Sequence, residues 1–218
     1  GITDVDGNNY NTVILGNGQE WLAENLRTSR YANSDWIENL TETSEFSGAT
    51  VGAWCHYEND FGYEIPFGKL YNWYAVADPR NVCPDGWHVP DTADFGQLFR
   101  YLESWDNHAL YAGAWTNGHW PTPSGEWYGT MAASDVLIET EEMWYELVSS
   151  NANNATGLSF IKSGQLASSV SFHDMPSFWS STAIPGQEVF CLWFTCFAFP
   201  QWEDVGASIL LMATDSPG

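Results

Sequence analysis

The sequence predicts a loop-rich α+β domain with two main helices around small antiparallel sheets. Three observations favour this fold class: two segments carry helix signals, the chain reads as strands from Phe178 onward, and long polar stretches separate these parts. The longest such stretch, residues 31–68, is expected to form ordered loops held by Trp36, Phe46, Trp54 and Tyr57. The 218 residues contain no linker or repeat and are 44% hydrophobic, so we expect a single domain over residues 1–218.

The first helix is predicted over residues 92–105. Apolar side chains recur there at spacings of three and four residues, and Asp91 or Thr92 can cap its start. A second, shorter helix is predicted over residues 141–149, with Thr140 as its N-cap and two glutamates in its first turn.

Near the N-terminus, Asp4, Asp6 and Asn8 alternate around Gly7 in a pattern that resembles a calcium loop. An EF-hand loop, however, needs Gly at its sixth position and Glu at its twelfth. Counting from Asp4, those positions hold Asn and Leu. A hairpin turn between two short extended runs is therefore the better interpretation.

The charge balance restricts the partners. With 28 acidic and 6 basic residues, the chain has a formal net charge of −22. Such a field repels the phosphates of nucleic acids and the surface of an anionic membrane, so neither is an expected partner. No apolar run approaches the ~20 residues of a membrane helix, so membrane insertion is not expected.

Five blocks of the sequence are distinctive. They are Asp4-Val-Asp-Gly-Asn-Asn-Tyr-Asn-Thr-Val13, Gln19-Glu-Trp-Leu-Ala-Glu-Asn-Leu26, Gly68-Lys-Leu-Tyr-Asn-Trp-Tyr-Ala-Val76, Cys83-Pro-Asp-Gly-Trp-His-Val-Pro90 and Phe178-Trp-Ser-Ser-Thr182. In these blocks the chain resembles the Fibrobacter succinogenes major paralogous domain. We expect the tryptophans of the last three blocks, Trp73, Trp87 and Trp179, to lie in the core.

The resemblance implies a C-type-lectin-like fold of the branch that includes the formylglycine-generating enzymes. It also implies an extracellular protein that is secreted or displayed on a cell surface or virion. Some proteins of this fold class are similar to the variable proteins of diversity-generating retroelements. In those, a strand-and-loop segment that follows a Phe-Trp-Ser-Ser-Thr-like block contacts the ligand, and the corresponding segment here is residues 183–204.

The C-terminal end departs from the family pattern. The family commonly closes with Gly-x-Ser-Val-Arg-Cys, where this chain has Gly206-Ala-Ser-Ile-Leu-Leu211. Leu211 stands in place of the cysteine with which Cys83 would pair in the family. The disulfide state of Cys55, Cys83, Cys191 and Cys196 therefore stays open.

One enzymatic signal is present. Cys191 and Cys196 have the Cys-x4-Cys spacing of the copper-dependent formylglycine-generating enzymes, but the Arg- and Gly-rich flanks of that enzyme's pair are missing. Five steps along one straight strand cover about 16 Å and place the side chains on opposite faces, whereas a disulfide needs Cα atoms within about 7 Å. Only a tight bend could join the two cysteines, and the apolar stretch between them offers no Gly or Pro. The five histidines are scattered. We therefore expect no catalytic residues, no metal and no cofactor.

The apolar run over residues 189–199 lacks the alternation of a half-buried strand. One interpretation is a strand buried on both faces. The other is a strand with one face in the core, formed by Trp193 and Phe197, and an exposed aromatic face that binds a ligand. The resemblance favours the second interpretation. The candidate ligand-binding residues are then Ile184, Pro185, Gln187, Phe190, Leu192, Phe194, Cys196, Ala198, Phe199, Gln201 and Trp202.

The sequence thus predicts a monomeric receptor-recognition protein that is not an enzyme. Its ligand would be a protein or another surface molecule, bound by residues 183–204, which a retroelement could diversify. The first alternative is a secreted surface domain with a structural or glycan-binding role. The second alternative is a copper oxidase of the formylglycine-generating type.

Overall fold

The computed structural model describes residues 1–105, 157–158, 165–166, 172–173, 177–182, 189–192, 195–198, 207, 209 and 211–214. The helices in these residues are α1 (Thr43–Ser47), α2 (Glu64–Phe67), α3 (Trp73–Val76) and α4 (Thr92–Trp105), with 3₁₀ turns at Tyr57–Asn59 and Phe61–Tyr63. The strands are β1 (Ile2–Thr3), β2 (Asn9–Tyr10), β3 (Thr12–Ile14), β4 (Glu20–Leu22), β5 (Glu38–Asn39), β6 (Ala53–Cys55), β7 (Leu70–Tyr71), β8 (Trp87–His88), β9 (Gln165–Leu166), β10 (Phe172–His173), β11 (Ser177–Trp179), β12 (Val189–Leu192), β13 (Thr195–Ala198) and β14 (Met212–Ala213). The second predicted helix, over residues 141–149, lies outside the described residues.

Helix α4 confirms the first predicted helix with its predicted ends. Asp91 caps it, because its Oδ1 accepts hydrogen bonds from two backbone N–H groups of the first turn, at 2.7 and 2.9 Å. Phe95 and Leu98 are buried on one face of the helix, and the ring of Phe95 lies 5.5 Å from that of Trp21. The helix therefore packs an apolar face against the core, as its spacing predicted.

Strands β1 and β2 form an antiparallel hairpin, which confirms the predicted N-terminal turn. The buried Asp4 carboxylate holds the turn together. Its Oδ1 accepts hydrogen bonds from the N–H groups of Asp6 (3.0 Å) and Asn8 (2.9 Å), and its Oδ2 accepts one from the Tyr10 hydroxyl (2.6 Å). The Asp4 side chain thus forms an Asx-type turn.

A four-stranded antiparallel sheet of order β3-β4-β14-β8 joins distant parts of the chain. Met212 of β14 pairs with Trp21 of β4 on one side and with His88 of β8 on the other. Trp21 and Met212 both belong to the main hydrophobic core. Strand β14 therefore contributes to the same hydrophobic core as residues from the N-terminal half of the chain.

A second sheet of order β5-β6-β7 lies mostly within residues 31–68, so this stretch contains more regular structure than predicted. Phe46 and Tyr57 are buried there, as expected. The expectation for Trp36 was wrong, because its side chain is 67% exposed. The Arg30 guanidinium lies over the Trp36 ring at 3.9 Å, so this tryptophan stacks on a cation at the surface.

The expectation of core tryptophans is confirmed for two of the three. Trp179 and Trp87 are buried, and Trp73 is partly buried with its ring 5.6 Å from that of Trp179. Small antiparallel sheets with a few helices make this an α+β fold, and two sheets also contain a parallel strand pair. Among the helices of the described residues, none has the length and apolarity needed to span a bilayer.

Candidate ligand-binding site

The residues that flank the candidate binding segment are hydrogen-bonded to the same residue, Tyr71. The backbone oxygen of Tyr71 accepts a hydrogen bond from Nε1 of Trp179 at 2.8 Å and another from the N–H of Ala207 at 2.9 Å. The N–H of Tyr71 in turn donates to the Ala207 oxygen at 2.8 Å. Trp179 and Ala207, which lie on either side of the segment, therefore meet at the Tyr71 backbone.

Tyr71 is itself firmly held. It belongs to β7, pairs with Trp54 of β6, and is fully buried. Its hydroxyl donates a 2.7 Å hydrogen bond to the Thr28 backbone oxygen. Burial raises the pKa of this hydroxyl well above its ordinary value, so it stays protonated and keeps donating.

The N-terminal anchor of the segment comprises Phe178 to Thr182. Phe178, Trp179 and Ser180 are fully buried. The N–H of Ser181 donates to the Pro90 oxygen at 2.9 Å. The hydroxyl of Thr182 accepts a 3.2 Å hydrogen bond from the backbone at the start of α4. These contacts fix the chain up to the first residue of the candidate segment.

The C-terminal anchor begins at Ala207, shortly after the segment. Ala207, Ile209 and Leu211 are fully buried. The backbone oxygens of Ile209 and Leu211 accept hydrogen bonds from Leu26 and Leu22, each at 2.9 Å. Because these partners lie in the Gln19–Leu26 block, the segment is anchored to the N-terminal half of the chain at both of its ends.

Between the anchors, the predicted single strand is in fact a hairpin. Strands β12 and β13 pair antiparallel, with Phe190 opposite Phe197 and Leu192 opposite Thr195. Strand β13 also pairs with β11 in parallel, so the strand order is β11-β13-β12 and β12 is the edge opposite β11. The sequence contains no Gly, Pro or Asn between Leu192 and Thr195, which is why its pattern did not reveal the reversal.

The reversal changes which residues share a face. Directly paired residues lie on the same face of a sheet, so Phe190 shares a face with Phe197. The assumption that these two positions lie on opposite faces was wrong, because it required one continuous strand. Cys196 and Ala198 lie on the other face, one step along β13 from Phe197.

The reversal also corrects the placement of the two cysteines. Cys191 and Cys196 are direct cross-strand partners. The 16 Å separation expected along one strand does not apply to them. The argument from strand geometry against a link between these cysteines was therefore wrong.

The predicted ligand-binding residues divide into two groups. Strand β12 carries Phe190 and Leu192, and strand β13 carries Cys196 and Ala198. The remaining predicted residues lie outside the described residues: Ile184, Pro185, Gln187, Phe194, Phe199, Gln201 and Trp202. That any of these residues binds a ligand stays a prediction.

The sequence did not reveal a buried polar cluster around Lys69. Its side chain is almost fully buried, and Nζ donates to the Arg27 backbone oxygen and, at 2.9 Å, to the Ser29 hydroxyl. Nζ also lies 3.1 Å from Oε2 of Glu64 and 4.4 Å from the centre of the Trp54 ring. The ammonium group is thus fully engaged inside the protein.

The carboxylate of Glu64 links this cluster to His56, whose Nε2 lies 2.8 Å from Oε2. Burial raises the pKa of Glu64, but the hydrogen bond with His56 and the charge of Lys69 lower it by more. The net pKa lies below its ordinary value, so the carboxylate is charged near neutral pH. The cluster links separate loops through hydrogen bonds and ion pairs, so its role is structural.

His88, in the Cys83–Pro90 block, is hydrogen-bonded and only partly buried. Its Nε2 lies 2.9 Å from Oδ2 of Asp94, which raises the pKa of His88, although 35% of the side chain is exposed. Within the described ranges, no group of three or more His, Cys, Asp or Glu side chains is placed to hold a metal ion.

Comparison with known families identifies this scaffold. The model of the Fibrobacter succinogenes major domain matches residues 14–191. The chain belongs to this family. The match to the Fibrobacter succinogenes major domain covers Tyr71 and Trp179 of this chain and ends within β12, inside the candidate segment. No curated protein and no solved structure matches the chain.

Proposed function

We propose that this member of the Fibrobacter succinogenes major domain family is a binding protein that recognises a protein ligand on another surface. The ligand is contacted by a display segment, residues 183–206, which extends by two residues the segment expected from the sequence. The observation that carries the proposal is that Trp179 and Ala207, on either side of this segment, both hydrogen-bond to Tyr71. Binding residues are commonly carried by connecting segments that a rigid scaffold positions.

The first support is mechanical. Trp179 and Ala207 meet at one backbone oxygen, so the two ends of the display segment are close together and fixed. Substitutions between such anchors do not have to disturb the core. This is the arrangement required for a segment whose sequence varies while its frame stays constant.

The second support is chemical. The stretch from Val189 to Trp202 contains no charged residue, although the whole chain has 34. Apolar and aromatic side chains give large contact areas at a low cost in conformational entropy. An uncharged aromatic stretch on a protein of net charge −22 suits a ligand that is recognised by apolar contact.

The strand register supports one choice of face for that contact. Phe190 and Leu192 share the face of Phe197, on the edge strand farthest from the buried Phe178. We assign ligand contact to this face at β12. Cys196 and Ala198 lie on the other face and offer smaller side chains.

We further propose a C-type-lectin-like fold, an extracellular or surface-displayed location, a monomeric state and no enzymatic activity. The family resemblance supports the fold and the location. The internal engagement of Lys69, Glu64 and His56 supports a structural role for this polar cluster.

A cell-binding experiment tests the proposed function. The fluorescently labelled domain is incubated with panels of intact bacterial and eukaryotic cells, and with the same cells after protease or periodate treatment. We expect binding that protease removes and periodate leaves intact. Phe190→Ser with Leu192→Ser should weaken it by about thirtyfold or more, which corresponds to about 2 kcal/mol at a hot spot.

The matched control is Ile14→Ser, which changes an exposed apolar residue of β3 far along the chain from the display segment. This variant should bind like the parent. Periodate-sensitive binding would favour the glycan-binding alternative. Binding that is equally unaffected by both sets of substitutions would contradict the assignment of the display segment.

The copper oxidase alternative has a separate test. The hairpin places the two cysteines opposite each other, but the segment still lacks the basic residues that flank the copper pair of the formylglycine-generating enzymes. We expect no stoichiometric copper after reconstitution with Cu(I) and dialysis. One tightly bound copper per chain, lost in the Cys191→Ser variant, would contradict the non-enzymatic proposal.

Diversification is tested in the genome. A near-copy of the codons for residues 183–204, rich in adenine and next to a reverse transcriptase gene, is expected beside this gene. If the surrounding DNA lacks both, the segment binds its ligand without retroelement-driven variation.

A further inference from the structure

We infer that Cys191 and Cys196 form a disulfide that links β12 to β13 and closes the hairpin of the display segment. The inference starts from the strand register, which makes the two residues direct partners in the antiparallel pair. It stands apart from the proposed function, because the bond forms or fails to form whatever the segment binds.

The backbone spacing of such partners suits a disulfide. Residues directly opposite each other in an antiparallel pair have Cα atoms about 4.5 or 5.5 Å apart, depending on the hydrogen-bonding pattern. Disulfides span Cα distances of about 4.4–6.8 Å. Both classes of pair therefore fall within the permitted range, and the two residues lie on the same face of the sheet.

The other two cysteines are not available to this pair. Cys55 and Cys83 are free thiols, each almost completely buried in a different hydrophobic cluster. Burial raises the pKa of both thiols to about 12, so neither forms a reactive thiolate near neutral pH. Among the four cysteines of the chain, the hairpin residues are thus the natural pair.

The residues that connect the two strands do not favour a tight turn, so a cross-link would stabilise the hairpin. Two residues, Trp193 and Phe194, connect the paired positions Leu192 and Thr195. Two-residue connections favour Asn or Gly, which tolerate positive φ, and this dipeptide offers neither. In other hairpins the turn residues specify the strand register. Here a disulfide next to the Leu192–Thr195 pair would fix that register instead.

The chemistry requires an oxidant, which we take to be a small-molecule disulfide such as oxidised glutathione. The thiolate of one cysteine attacks this disulfide, forms a mixed disulfide and releases one glutathione thiol. The second cysteine then attacks the protein sulfur of the mixed disulfide and releases the second glutathione thiol. Two protein thiols are oxidised to one disulfide while one glutathione disulfide is reduced to two thiols, so atoms and electrons balance.

Peptide mapping of the full chain tests the inference. Lys162 is the last basic residue, so trypsin yields a peptide of residues 163–218 that contains both hairpin cysteines and no others. The protein is equilibrated with oxidised glutathione, unfolded in guanidinium with a chelator, and alkylated without reductant. We expect no alkylation in this peptide and one alkylated cysteine in each of the peptides 31–69 and 81–100, which carry Cys55 and Cys83.

Two further measurements complete the test. Chymotrypsin cleaves after the aromatic residues between the two cysteines, so we expect its products to stay joined until a reductant is added. In Cys191→Ser, the remaining Cys196 cannot form the intrachain bond, so it should be found alkylated or carrying one glutathione that a reductant removes. Either product shows that the cysteine is accessible to the reagents. Two alkylated cysteines in residues 163–218 of the parent, or a disulfide-linked dimer on a non-reducing gel, would overturn the inference.

Discussion

Replacement of Trp179 by Ala should destabilise the protein strongly, because this residue anchors the display segment to the core. Its side chain is fully buried, packs 5.6 Å from the Trp73 ring, and donates a hydrogen bond to Tyr71. Truncation of a buried tryptophan typically costs about 3–5 kcal/mol. For a chain of this size each kcal/mol lowers the melting temperature by roughly 2–4 °C, so we expect a decrease of roughly 6–20 °C.

Trp36→Ala is the matched control for that substitution. The same atoms are removed, but this side chain is 67% exposed and its main contact is with the Arg30 guanidinium. An exposed cation–π contact contributes about 0.5–1 kcal/mol, so the melting temperature should fall by no more than roughly 4 °C.

Differential scanning calorimetry measures both variants without relying on tryptophan fluorescence. If Trp179→Ala does not fold, Trp179→Phe retains most of the ring and removes the hydrogen bond to Tyr71. That variant should lose about 1–3 kcal/mol. Melting temperatures of the Trp179 variants within a degree or two of the parent would refute the assignment of Trp179 as an anchor.

The remaining predictions concern the stability of the domain outside the display segment. Gly68→Ala should cost about 3 kcal/mol or more in the free energy of unfolding, because φ of +74° with ψ of −155° is a conformation that essentially only Gly adopts, and a Cβ would lie 2.6 Å from that of Asn25. Gly86→Ala has a similar φ of +82° but open space around it, so it should cost only about 1–2 kcal/mol, and equal losses in urea titrations would show that crowding at Gly68 is not the cause. Because the pKa of Glu64 is lowered in the folded state, its contribution to stability is present above its ordinary value of 4.5 and is lost as the pH falls through the folded pKa. Glu64→Gln should therefore reduce the acid dependence of the unfolding free energy below that pH, whereas Glu45→Gln at an exposed position of α1 should change it less, and the reverse order would contradict the buried cluster.

The sequence was most informative where local rules act. Helix α4 has both an Asp91 cap and a regular apolar face, and the Asp4 turn has the short polar side chains that such turns require. The tryptophans of the family blocks were expected in the core because they resemble a known pattern. In each case neighbouring residues determine the outcome.

Prediction from the sequence failed where contacts between distant parts of the chain determine the structure. Nothing in the spacing indicates that Tyr71 joins Trp179 and Ala207, which lie more than a hundred residues further on. The burial of Lys69 depends on Glu64 and on a loop some forty residues earlier in the chain. The hairpin was missed because its connection lacks turn residues, and pairing with β11 is a tertiary contact that no local pattern encodes.

The most direct measurement of the display segment compares Phe178→Ser with Phe190→Ser. Both residues pair with Phe197, so they occupy one row and one face of the sheet, on opposite edge strands. Phe178 is fully buried, so its replacement should cost about 3 kcal/mol or more in calorimetric stability. If β12 displays its side chains to a ligand, Phe190→Ser should change stability by less than about 0.5 kcal/mol and weaken binding to cells about thirtyfold. Equal destabilisation by the two substitutions would mean that this face is buried at both strands and that the ligand binds elsewhere.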